Sequence, residues 1–242
     1  MILDSEYNNA GDLIGLDHEL NGGDFLGRLR NLSPLKRFQM LRKVTRKPTT
    51  SRGSRRDMEK HFRSLPKRVR AELAAGKMRL GDWSAYSIKA VGSKTVKLFE
   101  TQDDKEVSLR NLSNAKLPKN MVLMVSEIQV LAGVAPAAVP GSPTADEIKA
   151  TDFGTINDFP ALANAEWSLK SNKVQVVPEN HSCRKFVTDM NTTVNLGTYV
   201  LDNPRPVQDD VLLEFVIELG TMTNIPTDLF VRVELSGTVT TP

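Results

Sequence analysis

Cysteine is nearly missing from this chain: Cys183 is the only one among 242 residues. No intrachain disulfide can form, so stability has to come from core packing or from partners. Cys183 itself reads as a small buried hydrophobe. The three histidines, His18, His61 and His181, lie far apart and never at the helical spacing of a metal-binding pair. No Gly-rich phosphate loop runs into a Lys-Ser/Thr pair, and no Cys pair exists. His181 beside Cys183 lacks an orienting third group at a recognisable spacing, so a polar His near a packed Cys is expected there and not a thiol catalyst. The carboxylate pairs Asp103-Asp104 and Asp209-Asp210 sit among turn residues, where turn formation and solubility are their expected roles. No enzyme, cofactor or metal site is therefore expected. Long apolar runs are missing too. Nothing approaches the roughly 18 residues of a membrane helix, so no membrane span is expected. The first 27 residues, acidic and without a positive start, exclude an ordinary secretory signal.

What the chain has is charge laid out in blocks. The net charge is only +3. Residues 1–27, however, carry six acids and no Lys or Arg, whereas residues 28–70 carry 16 Lys and Arg against Asp57 and Glu59 alone. The remainder is mildly acidic. Cations packed that densely repel one another unless a polyanion neutralises them. Arg42, Lys43, Arg46, Lys47, Arg52, Arg55 and Arg56 are the candidate phosphate contacts. They stand on turns and short helices that can follow a phosphate backbone, and aromatics for base stacking are limited to Phe38 and Phe62. An acidic protein surface, including the chain's own residues 1–27, is a competing partner for the block.

Three short helices are predicted inside the basic region. Ser33-Pro34 is a good N-cap pair, followed by an apolar stripe of Leu35, Phe38, Leu41 and Val44. Ser54 with Asp57 resembles a capping box, and Met58, Phe62 and Leu65 continue at helical spacing. A third helix is predicted from Pro66 to Gly76 with Val69 and Leu73 inward. All three are too short to stand alone.

After Gly81 the apolar period changes from near 3.6 to 2, which places a domain boundary there. Runs at 84–91, 94–100, 105–110, 120–131, 165–170, 173–177, 183–188, 194–201, 211–219 and 229–239 read as strands. Turn signals such as Gly92-Ser93 and Asn203-Pro204-Arg205-Pro206 separate them. Within 229–235, Leu229, Val231, Val233 and Leu235 share one face while Phe230, Arg232 and Glu234 share the other. Many short strands without long helices between them predict a mainly β, antiparallel sandwich or barrel. The small-residue and proline stretch that opens 133–164 is expected to be an extended loop. The organisation read is thus an acidic segment 1–27, a basic and partly helical arm 28–81, and a β domain 82–242.

A basic N-terminal arm before a β domain of eight or more strands, with no active-site motif, resembles the coat proteins of small icosahedral viruses and phages. The stretches 94–100, 108–114 and 116–119 also look like phage virion sequences. The resemblance implies a jelly-roll shell domain and a virion protein assembled in the host cytoplasm. It further implies homo-oligomeric contacts through 133–164 and 202–210, genomic nucleic acid bound through its phosphates, and contacts with other virion proteins. A different class is also open: a regulatory or architectural DNA-binding protein with a helical module at 28–76 and a β oligomerisation domain. A sugar-binding or sugar-cleaving sandwich is disfavoured, because Trp83, Trp167 and three tyrosines are few for stacking platforms.

Overall fold

Strand alternation and turn chemistry build two antiparallel sheets. The computed structural model describes residues 58–188 and 195–241, so the helix expected from Ser33 and the box residues Ser54 and Asp57 lie outside it. In chain order the elements are α1 (Lys67–Ala74), β1 (Arg79–Ala90), β2 (Thr95–Lys97), β3 (Leu123–Val134), α2 (Ala145–Lys149), β4 (Gly154–Thr155) and α3 (Pro160–Ala163). They continue with β5 (Glu166–Ser171), β6 (Val174–Ser182), β7 (Thr198–Val207), β8 (Leu213–Glu218) and β9 (Leu229–Thr241). The first sheet runs β1-β9-β3, with β7 and the short β4 both on the far side of β3; the second runs β2-β8-β5-β6. Every ladder is antiparallel, and β1 pairs with β9, β2 with β8, β3 with β7 and β5 with β6. The protein is mainly β, as its period-2 runs imply.

The alternation at 229–235 sets the two faces of the first sheet. Leu229, Val231, Val233 and Leu235 enter the core between the sheets, where Val125 and Ile128 of β3 and Trp167, Leu169, Phe215 and Ile217 of the second sheet meet them. Trp167 stacks on Phe215 with ring centroids 5.3 Å apart and meets Phe186 at 5.1 Å. Gly237 of β9 lies where β3 bulges around Ser126. A Cβ at 237 would stand 1.8 Å from the Met124 carbonyl oxygen, so only glycine lets the two backbones approach this closely.

The other face of the first sheet is covered as well, at both ends. At one end Met58, Phe62, Leu65, Val69 and Leu73 pack on Met78, Leu80, Val122 and Met124. At the other, Ile88 and Phe230 pack with Leu109, Ala135, Ile148 and Phe153. The helix expected at 66–76 is present as α1, with Val69 and Leu73 buried. It ends in a Schellman motif: the Gly76 N–H donates to the Leu73 carbonyl and the Lys77 N–H to that of Glu72, each at 3.0 Å, with Gly76 at φ +65°. β1 starts at Arg79, two residues before the change of period noted at Gly81.

Three expectations about local structure are corrected. Residues 105–110 form no strand; the chain doubles back with Ser108 at φ +71° and bridges Glu106 to Arg110. Residues 183–186 are a turn of 3-10 helix, with the Ser182 hydroxyl accepting from the Arg184 N–H at 3.2 Å. Cys183 and Phe186 are both buried, and a spacing of three satisfies that where a strand could not. Asn203 to Pro206, expected as a turn, lies in β7, which among the described residues pairs only with β3. A strand with one free side has no ladder use for the donors that Pro204 and Pro206 lack. The stretch 133–164 is also more ordered than a plain loop. It holds α2, β4 and α3, and Thr144 and Glu147 close a capping box at the start of α2.

Candidate nucleic-acid and assembly surfaces

The predicted phosphate contacts Arg42, Lys43, Arg46, Lys47, Arg52, Arg55 and Arg56 lie outside the described residues. The structure does hold the end of the basic region, which is tied to the β domain by more than apolar contact. Arg68 of α1 forms an ion pair with Asp209 at 2.9 Å, and the Asn120 N–H donates to the same carboxylate oxygen at 2.6 Å. One carboxylate thus joins α1, the turn before β3 and the segment between β7 and β8. Asp209 is therefore a clamp and not merely a solubilising turn residue. No local pattern could have revealed this, because Arg68 is 141 positions away.

Asp103 has a similar role at the opposite end of the first sheet. It pairs with Arg110 at 2.6 Å and with Lys89 at 2.8 Å, and Lys89 also binds Glu100. Burial pulls the Lys89 ammonium down. The hydrogen bonds and charges of Asp103 and Glu100 outweigh burial and raise its pKa above the usual lysine value. Lys149 of α2 reaches Glu106 at 3.1 Å, which joins the 133–164 stretch to the 105–110 loop. That stretch is held further where the Gly141 N–H donates to Asp228 and the Ala138 N–H to Glu147. Its Val139 remains 63% exposed, and Val107 on the adjoining loop 77%. Of the other stretch expected to contact subunits, 202–210, the first six residues form the outer end of β7.

The Cys183 thiol is buried, and burial with the neighbouring Glu166 charge pushes its pKa up to about 12, so it stays protonated near neutrality. His181 packs edge-on against Trp167 with centroids 5.1 Å apart, as part of an aromatic cluster with Tyr199. Trp167 is 1% exposed and offers no platform to a sugar. Among the described residues no group of three or more His, Cys, Asp or Glu side chains could hold a metal ion. No described helix is long and apolar enough to cross a membrane. No protein-family model matches the chain, and no curated protein is detectably similar to it in sequence.

Proposed function

We propose that this chain is a structural virion protein, a jelly-roll coat subunit. In this reading it self-assembles into an icosahedral shell and holds nucleic acid through its basic N-terminal block. The observation that carries the reading is the order of strand pairing. With the two-residue β4 set aside, the first long strand pairs with the last, the second with the seventh, the third with the sixth and the fourth with the fifth. Folding one long antiparallel ribbon over on itself produces this order, which supports a jelly-roll wrap. Lectins and cupins use the same wrap. A block of 16 cations in 43 residues ahead of the β domain favours a nucleic-acid package over a sugar or small-molecule site.

The regulatory DNA-binding alternative needs an independent helical module at 28–76. Met58, Phe62, Leu65, Val69 and Leu73 instead turn their apolar stripe onto the sheet, so the end of that region packs as part of the β domain. In the proposed shell the 133–164 stretch, with Val139 exposed, and the 202–210 segment at the free side of β7 supply subunit contacts. Other virion proteins would bind at the same margins. Assembly would take place in the host cytoplasm. The test is negative-stain microscopy with light scattering on the full-length protein, with and without nucleic acid. Closed symmetric particles are expected. A strictly monomeric mass at high concentration under both conditions overturns the shell reading.

A further inference from the structure

The outer sides of the two sheets differ in charge pattern: cations gather at the α1 end of the first, whereas glutamates and lysines, Lys94, Lys97 and Lys173 among them, are interspersed on the second. On the first sheet, α1 has Lys67, Arg68 and Arg70 in its first turn, no acid there and no side-chain cap on its free N–H groups. Helix electrostatics disfavour cations at that end. Asp209 neutralises Arg68. Among the described residues Lys67 makes no ion pair and the buried Nε of Arg70 has no hydrogen-bond partner. Lys119, beside the Asn120 that shares the Asp209 carboxylate, and Lys77, just past the end of α1, are exposed and unpaired among the described residues. On the second sheet the outward residues of β5 and β8 include Glu166, Glu214 and Glu218. Glu166 and Glu218 stand directly opposite each other across the ladder. Lys170 pairs with Glu179 and lies in the field of Glu214 and Glu218 as well.

We infer that the face bearing α1 is the one turned toward nucleic acid. On this face Lys67, Lys77 and Lys119 extend the phosphate-contacting surface from the basic block onto the β domain, and the second sheet, where glutamates and lysines are mixed, points away. This rests on the nucleic-acid part of the proposed function and adds the orientation of the subunit. Lysines act as point charges on flexible stems, so this surface neutralises phosphate without reading bases.

The test uses the full-length protein and a fluorescently labelled oligothymidine, with affinity read by anisotropy over a series of salt concentrations. One variant carries Lys67→Gln, Lys77→Gln and Lys119→Gln. A charge-matched variant carries Lys94→Gln, Lys97→Gln and Lys173→Gln, exposed positions in or beside the strands of the second sheet. Each lost phosphate contact lowers the slope of log affinity against log salt by about 0.7. The first variant should therefore lose about 2 in slope, and the second should keep the wild-type slope. Equal slopes for the two variants, or the larger loss in the second, overturn the orientation while leaving nucleic-acid binding intact. A wild-type protein that shows no salt-dependent binding overturns the reading on which the orientation rests.

Discussion

The core between the sheets and the cluster beneath α1 are both buried and apolar, yet they hold different parts of the molecule. The inner core draws on both sheets and centres on Trp167, Phe215 and Phe186, all 1% exposed or less. The outer cluster joins residues 58–73 to one end of the first sheet through Met78, Leu80, Val122 and Met124. Without its cover, that end of the sheet would present four large apolar side chains to water. The last part of the basic region therefore belongs to the β domain energetically, although its composition belongs to the arm. A cut at residue 70, which composition alone would suggest leaves a folded β domain, removes Met58, Phe62, Leu65 and Val69 from that cluster. A cut at 57 spares them.

The largest expected effect sharpens this contrast from the inner side. Trp167→Ala should cost about 3–5 kcal/mol in chemical denaturation, because an aromatic side chain is removed where the sheets have little freedom to close the gap. Gly237→Ala should be similarly severe and should disturb the β3–β9 ladder first, since its Cβ would meet backbone. Leu73→Ala should cost less, about 2 kcal/mol, and act locally. Hydrogen exchange should speed up at α1 amides and stay unchanged in β5 and β8. A uniform acceleration across both sheets would show that the outer cluster is no separate unit. Asp209→Ala should cost roughly 1–2 kcal/mol, since it strands the Asn120 N–H as well as Arg68. Arg68→Ala, whose side chain is 44% exposed, should cost about 0.5 kcal/mol. Equal losses from the two would mean that the Asn120 bond contributes nothing.

The same contrast explains what could be read along the chain. α1 was legible because Pro66 and Gly76 punctuate it and Val69 and Leu73 keep helical spacing. The inner face of β9 was legible because its alternation is strict. The first half of β7 was read within the run 194–201, but its second half was hidden by Pro204 and Pro206, which signal a turn unless it is known that the strand has one free side. The turn at 183–186 was hidden because a short apolar run does not distinguish a spacing of three from alternation. Nothing in the composition showed that the basic region would end inside a core, since that depends on Met124 and Leu80 pointing away from the main core. Asp103 and Asp209 looked like turn residues for the same reason: their partners are brought to them only by the fold.

The ion network at the other end of the first sheet gives the smallest and most selective effect. Lys89 holds Glu100 and Asp103, and its folded pKa lies above that of an unfolded lysine. Its contribution is therefore complete below the unfolded value, about 10.4, and is lost as pH rises through the folded value. Lys89→Met should reduce stability by about 1 kcal/mol or less near neutrality, in keeping with a partly exposed pair. It should also flatten the decline of Tm above about pH 10.4 relative to wild type. Cys183 acts on the same limb: its thiol ionises more readily in the unfolded chain, so it too draws stability down above the unfolded value of about 8.5. Measuring Lys89→Met beside Cys183→Ala separates the two contributions. If Lys89→Met leaves the alkaline slope unchanged, the ion pairs of Lys89 are screened by solvent and contribute nothing to holding the end of the sheet under 105–110, which then rests on the Arg110–Asp103 pair and the apolar contacts of Ile88, Leu109 and Phe230.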